Sequence, residues 1–191
     1  MKSIIPLVPD SARMRRPTRR FSLLDAMVLI AATAVGLTID RVFWSDMHGW
    51  DGAVLKHFRD LTSAGIILSV PLVAMWTVAT LALQLRRPRY RLRRMLRRQG
   101  TAACCAATVA LALGAVLVIC ATRGTPVSFG SRLIMGYGLP VMAGGAVTAV
   151  WTVSLIAREY QAASDWTDRL GRVIGLYWVM STAVLGWTLT G

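Results

Sequence analysis

The sequence predicts an all-α protein: an integral membrane bundle of five transmembrane helices, or alternatively four plus one interfacial helix. Three observations predict it. First, 55% of the 191 residues are hydrophobic and only 16% are charged, with a mean hydropathy of +0.53; an ordinary soluble domain carries about 25% charged residues. Second, the charges are gathered in blocks between five apolar runs, at 21–39, 61–85, 101–122, 133–157 and 173–190, each close to the roughly 20 residues that cross a bilayer. Third, residues 86–98 pack eight arginines into thirteen positions with no lysine and no acid. Such a block does not readily cross a membrane, so it pins one face and orders the other segments. Residues 21–191 then read as a single transmembrane domain behind a tail.

The tail, 1–20, is polar and basic, with Lys2, Arg13, Arg15, Arg16, Arg19 and Arg20 among Pro6, Pro9 and Pro17. It has no periodicity and is expected to be disordered. Thr18 to Leu24 partly resembles a twin-arginine export signal, with Ala32-Thr33-Ala34 as a cleavage site. The basic region is long, however, and the apolar run continues to Ile39, so a retained first span is the better reading. Ser22 and Asp25 stand three apart just before that run, as in a capping box. The box accounts for Asp25 at the interface, where a proton or coupling-ion site would need an acid at mid-depth. Ala32 and Gly36 offer a small-residue face to a neighbouring helix.

Residues 40–60 form a mixed loop whose Phe43, Trp44, Trp50 and Phe58 suit the headgroup level. His48, Asp51, His57 and Asp60 are its metal-ligand types, but their spacing matches no compact site, and no cofactor is expected. The run 61–85 carries Pro71 mid-span, which removes a backbone hydrogen bond and predicts a kink. Ser69 or a neighbouring helix would satisfy the freed carbonyl.

The basic loop 86–100 holds Arg86, Arg87, Arg89, Arg91, Arg93, Arg94, Arg97 and Arg98, the expected contacts to anionic lipid. Leu92, Met95, Leu96 and Gln99 fall at i, i+3, i+4 and i+7, which makes a basic amphipathic turn at the headgroups. Each arginine near an anionic surface contributes about 1 kcal/mol, less mutual repulsion and salt screening. The net charge of +13 would point to nucleic acid in a soluble protein. In a membrane protein it is accounted for by topology signals and anionic headgroups, and no nucleic acid is expected.

The run 101–122 is free of aromatics and proline, with Ala106, Ala110 and Gly114 four apart. It is expected to be the most enclosed helix of the bundle. Cys104, Cys105 and Cys120 are expected to pack as small apolar residues. The two ends of a straight helix hold them more than about 20 Å apart, too far for a disulfide between the ends. In 133–157, Gly136-Tyr137-Gly138 resembles a fragment of a potassium-channel filter, but Met135 stands where valine belongs and neither Thr-Val nor Asp flanks it. Pro140 is expected to open the regular helix, after an irregular approach over 133–139. Residues 158–172 read as a second mixed loop with i,i+4 pairs Asp165–Arg169 and Asp168–Arg172, acid first, and an interfacial Trp166. The eighteen residues 173–190 are just long enough to span, and Gly171 and Gly175 form a GxxxG packing face.

Lys and Arg number six in the tail, eight in the arginine block and three in 158–172, seventeen in all, against three in 40–60 and two in 123–132. The positive-inside rule puts the tail and arginine block in the cytoplasm, and five spans then leave the C-terminus outside.

Arg19-Arg20-Phe21-Ser22-Leu23-Leu24-Asp25-Ala26-Met27 resembles the start of uncharacterised small multi-span membrane proteins of planctomycete-type bacteria, and Asp165-Trp166-Thr167-Asp168-Arg169-Leu170-Gly171-Arg172 has a similar character. The resemblance implies a bacterial inner-membrane protein and no catalytic residues. The function expected is a non-enzymatic scaffold, subunit or accessory of a membrane assembly, with a membrane-protein partner or a second copy. A small transporter or channel, built on the Pro71 and Pro140 irregularities, is the alternative. An enzyme would need His48, Asp51, His57 and Asp60 to converge.

Overall fold

The computed structural model describes residues 21–47, 61–86, 98–122, 137–157 and 165–190. They form five helices: α1 (Leu23–Met47), α2 (Leu61–Leu85), α3 (Gln99–Thr122), α4 (Leu139–Ile156) and α5 (Trp166–Thr190). All five are long and apolar enough to cross a membrane. Each begins where the sequence supplies a start signal. At α1 the capping box forms: the Asp25 N–H donates to Ser22 Oγ at 3.2 Å, and the Ser22 N–H donates to Asp25 Oδ2 at 3.1 Å. At α4 Pro140 occupies the first turn, where its missing N–H costs nothing.

The helices run up and down. α1, α3 and α5 begin, and α2 and α4 finish, at one end, referred to below as the base. α5 packs against α2, α3 and α4, while α1 lies outside against α2. The core joins Val70, Ala103, Ala107, Ala143, Val147, Ile174 and Trp178. Its logic is complementary volume: the indole of Trp178, fully buried halfway along α5, fits because α3 and α4 present alanines there. At Gly144 a Cβ would overlap the Trp178 carbonyl and the Thr182 hydroxyl, and at Gly36 it would come within 2.8 Å of Leu72 Cα. Both glycines therefore let backbones meet.

Polar side chains stitch neighbouring helices. The Trp76 indole N–H donates to Thr33 Oγ1 at 2.9 Å, joining α2 to α1. The Trp178 N–H donates to Thr77 Oγ1 at 3.1 Å, joining α5 to α2. The Thr182 hydroxyl donates to the Pro140 carbonyl at 3.1 Å, joining α5 to α4. Bonds of this kind between membrane helices average about 0.6 kcal/mol.

Several boundaries differ from those read in the sequence. α1 runs on to Met47, well past position 39, because Asp40 and Arg41 continue the helix instead of breaking it. α4 begins at Leu139 and not at 133. α5 begins at Trp166, so residues 166–172, expected in a loop, are the first two turns of the helix. With Trp178 and Leu185 both fully buried, α5 is a core helix and does not lie along the surface. α3 is not uniquely enclosed: α2, α3 and α5 each bury 33% of their spanning stretch. Ser69 does not reach the carbonyl freed by Pro71, that of Ile67. It donates to the carbonyls of Gly65 and Ile66 and meets the Tyr177 hydroxyl. Cys104 is buried but Cys120 is exposed on the outside of the bundle, so only part of the cysteine packing is as expected.

Candidate functional site

The most concentrated polar chemistry among the described residues lies at the base, where three helix starts meet two helix ends. Asp25, Gln84, Thr101, Asp165, Thr167 and Asp168 are all buried there. The cause is geometric. α3 and α5 both start at the base, so their exposed N–H groups and the positive ends of their dipoles lie side by side. Asp165, immediately before α5, and Asp168, in its first turn, bring two carboxylates to that point.

Asp168 Oδ1 accepts the Gly100 N–H of α3 at 3.0 Å, and its Oδ2 pairs with Arg172 one turn along α5 at 3.3 Å. Asp165 Oδ2 pairs with Arg98, the residue before α3, at 2.8 Å. Its backbone carbonyl accepts the N–H groups of Asp168 and Arg169. Each helix start thus holds the other. The approach is so close that a Cβ on Gly100 would overlap the Asp168 backbone, and one on Gly171 would come within 2.7 Å of the Gly100 carbonyl oxygen.

The helix ends join the same cluster. Gln84, in the last turn of α2, donates through Nε2 to the Thr167 carbonyl at 3.1 Å. The Trp151 indole N–H, near the end of α4, donates to the Gln99 carbonyl at 3.4 Å. Phe21 meets Trp166 edge to face with ring centroids 5.0 Å apart, which ties the start of α1 to the start of α5. Among the described residues, Gln84 Oε1, Thr80 Oγ1 and Thr167 Oγ1 are buried without a hydrogen-bond partner. A buried polar group left so costs about 1–3 kcal/mol.

The cluster holds charge, and its arrangement is that of a clasp. Its acids each face a helix N-terminus or an arginine. Among the described residues, no group of three His, Cys, Asp or Glu is placed to hold a metal. His48, Asp51, His57 and Asp60 lie outside the described residues. So do Arg87, Arg89, Arg91, Arg93, Arg94 and Arg97 of the arginine run; of its two described members, Arg86 is exposed and Arg98 is paired with Asp165.

Of the two i,i+4 pairs read in the sequence, Asp168–Arg172 is present. Asp165 instead pairs across the bundle with Arg98. Sequence reasoning missed the clasp because its partners stand 67 and 68 residues apart. The available signal was a pair of acids and Gly171 immediately before an apolar run, a helix start with a glycine crossing.

Gly136 lies outside the described residues, and Gly138 of the filter-like tripeptide has φ −69° and ψ −44°. It is right-handed helical and leads straight into α4. Beside α3 and α4, opening to the outside of the bundle, is an apolar groove of about 680 Å³. Comparison with protein-family profiles, with curated proteins and with solved structures finds no match to the chain.

Proposed function

We propose that the protein is a non-enzymatic scaffold, subunit or accessory of a membrane assembly, held in the inner membrane with its base and N-terminus in the cytoplasm. The observation that carries this reading is the filled centre of the bundle. Trp178, fully buried at the middle of α5, packs with Ala107, Ala143 and Val147 and is hydrogen-bonded to Thr77. A transport pathway through the bundle would have to displace it. Coupled transporters place their working charges near mid-depth; here Asp25, Asp165 and Asp168 sit at the base and serve helix starts.

Pro140 supports the same reading, because it opens α4 and does not interrupt it. The arginine run then serves as the topology anchor and as the contact to anionic headgroups. The partner is a membrane protein or a second copy of this chain.

The test is affinity capture of the full-length tagged protein in mild detergent, with the captured proteins identified and quantified. A scaffold or subunit brings down a defined set at constant stoichiometry. A protein captured alone that also supports solute flux in reconstituted vesicles would overturn the reading.

A further inference from the structure

The groove beside α3 and α4 is lined by Ala102, Ala106, Ala110, Val141, Gly145 and Val150, among others, and is apolar throughout. On α3 it runs from Ala102, one turn into the helix, to Leu113 near its middle. Eleven residues at about 1.5 Å each make about 16 Å. Half of the roughly 30 Å hydrocarbon core is about 15 Å. The groove therefore has the length of one leaflet, the basal one. A second transmembrane helix would need a seam through both leaflets. The groove's basal end also lies four residues from Arg98, the last of the eight arginines in 86–98, so an occupant anchored there meets a strongly positive surface.

We propose that this groove binds one acyl chain of an anionic phospholipid of the basal leaflet, with the phosphate held at the arginine-rich start of α3. The small residues Ala106, Ala110 and Gly145 leave the depth that a methylene chain fills, and the volume of about 680 Å³ falls in the range of small-molecule sites. The inference rests on the reading of the arginine run as an anionic-headgroup contact and gives it a defined lipid position. Gly145 also provides a clean probe, because a Cβ there meets nothing within 4 Å. A leucine would project into the groove without moving the helices.

The experiment uses the full chain, reconstituted in vesicles of equal phosphatidylglycerol and phosphatidylcholine. It is then extracted in mild detergent, and the retained lipids are counted per protein by native mass spectrometry. The wild type is expected to keep one phosphatidylglycerol in preference to phosphatidylcholine. Gly145→Leu and Ala106→Leu should each lower that retention about tenfold, while Gly65→Leu, on open surface of α2, should leave it unchanged. Thermal unfolding midpoints identify any variant that misfolds, and Ala106→Leu and Gly145→Leu fill the groove from opposite helices.

Unchanged retention in both filled variants overturns the proposal, as does equal retention of the two lipids. Oxidative cross-linking of two copies through Cys105, which lines the groove, that disappears in Gly145→Leu would assign the groove to a second copy and also overturn it. Both vesicle leaflets contain both lipids, so the readout does not depend on orientation or on the scaffold reading, and either can fail separately.

Discussion

The Asp168 carboxylate of α5 caps a helix that is not its own: Oδ1 accepts the Gly100 N–H of α3 at 3.0 Å. Two parallel helices begin side by side at the base, each with a partial charge of about +0.5 at its start. Asp165 and Asp168 offset that repulsion, and Arg98 and Arg172 in turn balance the carboxylates. The relationship explains why acids sit buried at the edge of an apolar bundle.

Replacing Asp168 by alanine should destabilise the bundle by about 3–5 kcal/mol, because it leaves a buried helix-start N–H and the Arg172 guanidinium without their carboxylate. At about 2–4 °C per kcal/mol for a chain of this size, the thermal midpoint in mild detergent should fall by roughly 10 °C. A midpoint within a degree or two of wild type would mean that the clasp contributes little.

The glycines divide into two groups. Gly100→Ala and Gly144→Ala push a methyl group into the backbone of a neighbouring helix and should destabilise by about 1–3 kcal/mol, the usual cost of overpacking. Gly65→Ala and Gly186→Ala meet nothing within 4 Å and should be neutral or gain up to about 1 kcal/mol from helix propensity. Ranking the four variants by thermal midpoint checks the two helix crossings directly.

Trp178→Phe removes the bond to Thr77 while keeping most of the ring. It should cost about 0.6–1.7 kcal/mol for the interhelical bond. Trp178→Ala empties the centre of the bundle and should cost about 3–5 kcal/mol. Equal effects of the two substitutions would show that the hydrogen bond, and not the volume, matters at mid-depth.

Five crossings from a cytoplasmic N-terminus require a C-terminus outside. Reporters fused after Arg94 and after Gly191 should therefore read cytoplasmic and external locations, respectively. A cytoplasmic C-terminal reporter would mean that α5, although packed in the core, does not complete its crossing.

A peptide covering residues 86–99 should bind vesicles increasingly with their content of anionic lipid and release them as salt rises, since each arginine contributes about 1 kcal/mol at a charged surface. Binding indifferent to lipid charge would refute the headgroup contact assigned to the arginine run.

Much of the fold was legible because its causes are local. The Ser22–Asp25 box closes over three residues, so it could be read and is found. Pro140 opens α4 for an equally local reason. The candidate site was much less legible. Ser22 to Asp25 is a contact along the chain, whereas Arg98 to Asp165 and Gly100 to Asp168 are contacts across it, and nothing in their spacing announces them. Asp165 was paired on paper with Arg169, its neighbour in sequence, because the distant Arg98 competes only once α3 and α5 have been brought together.

The sequence by itself determined that the chain has five apolar stretches of spanning length, since transfer of each side chain into hydrocarbon is a nearly additive property of the run that carries it. Only the tertiary structure decided where α5 starts, which acids are buried and which helix is central. The seven residues 166–172 are polar enough to remain in a loop. They become helix because Gly100 and Gly171 allow two backbones to meet, and because Arg98 and the start of α3 supply charge partners that Asp165 and Asp168 would not have in isolation.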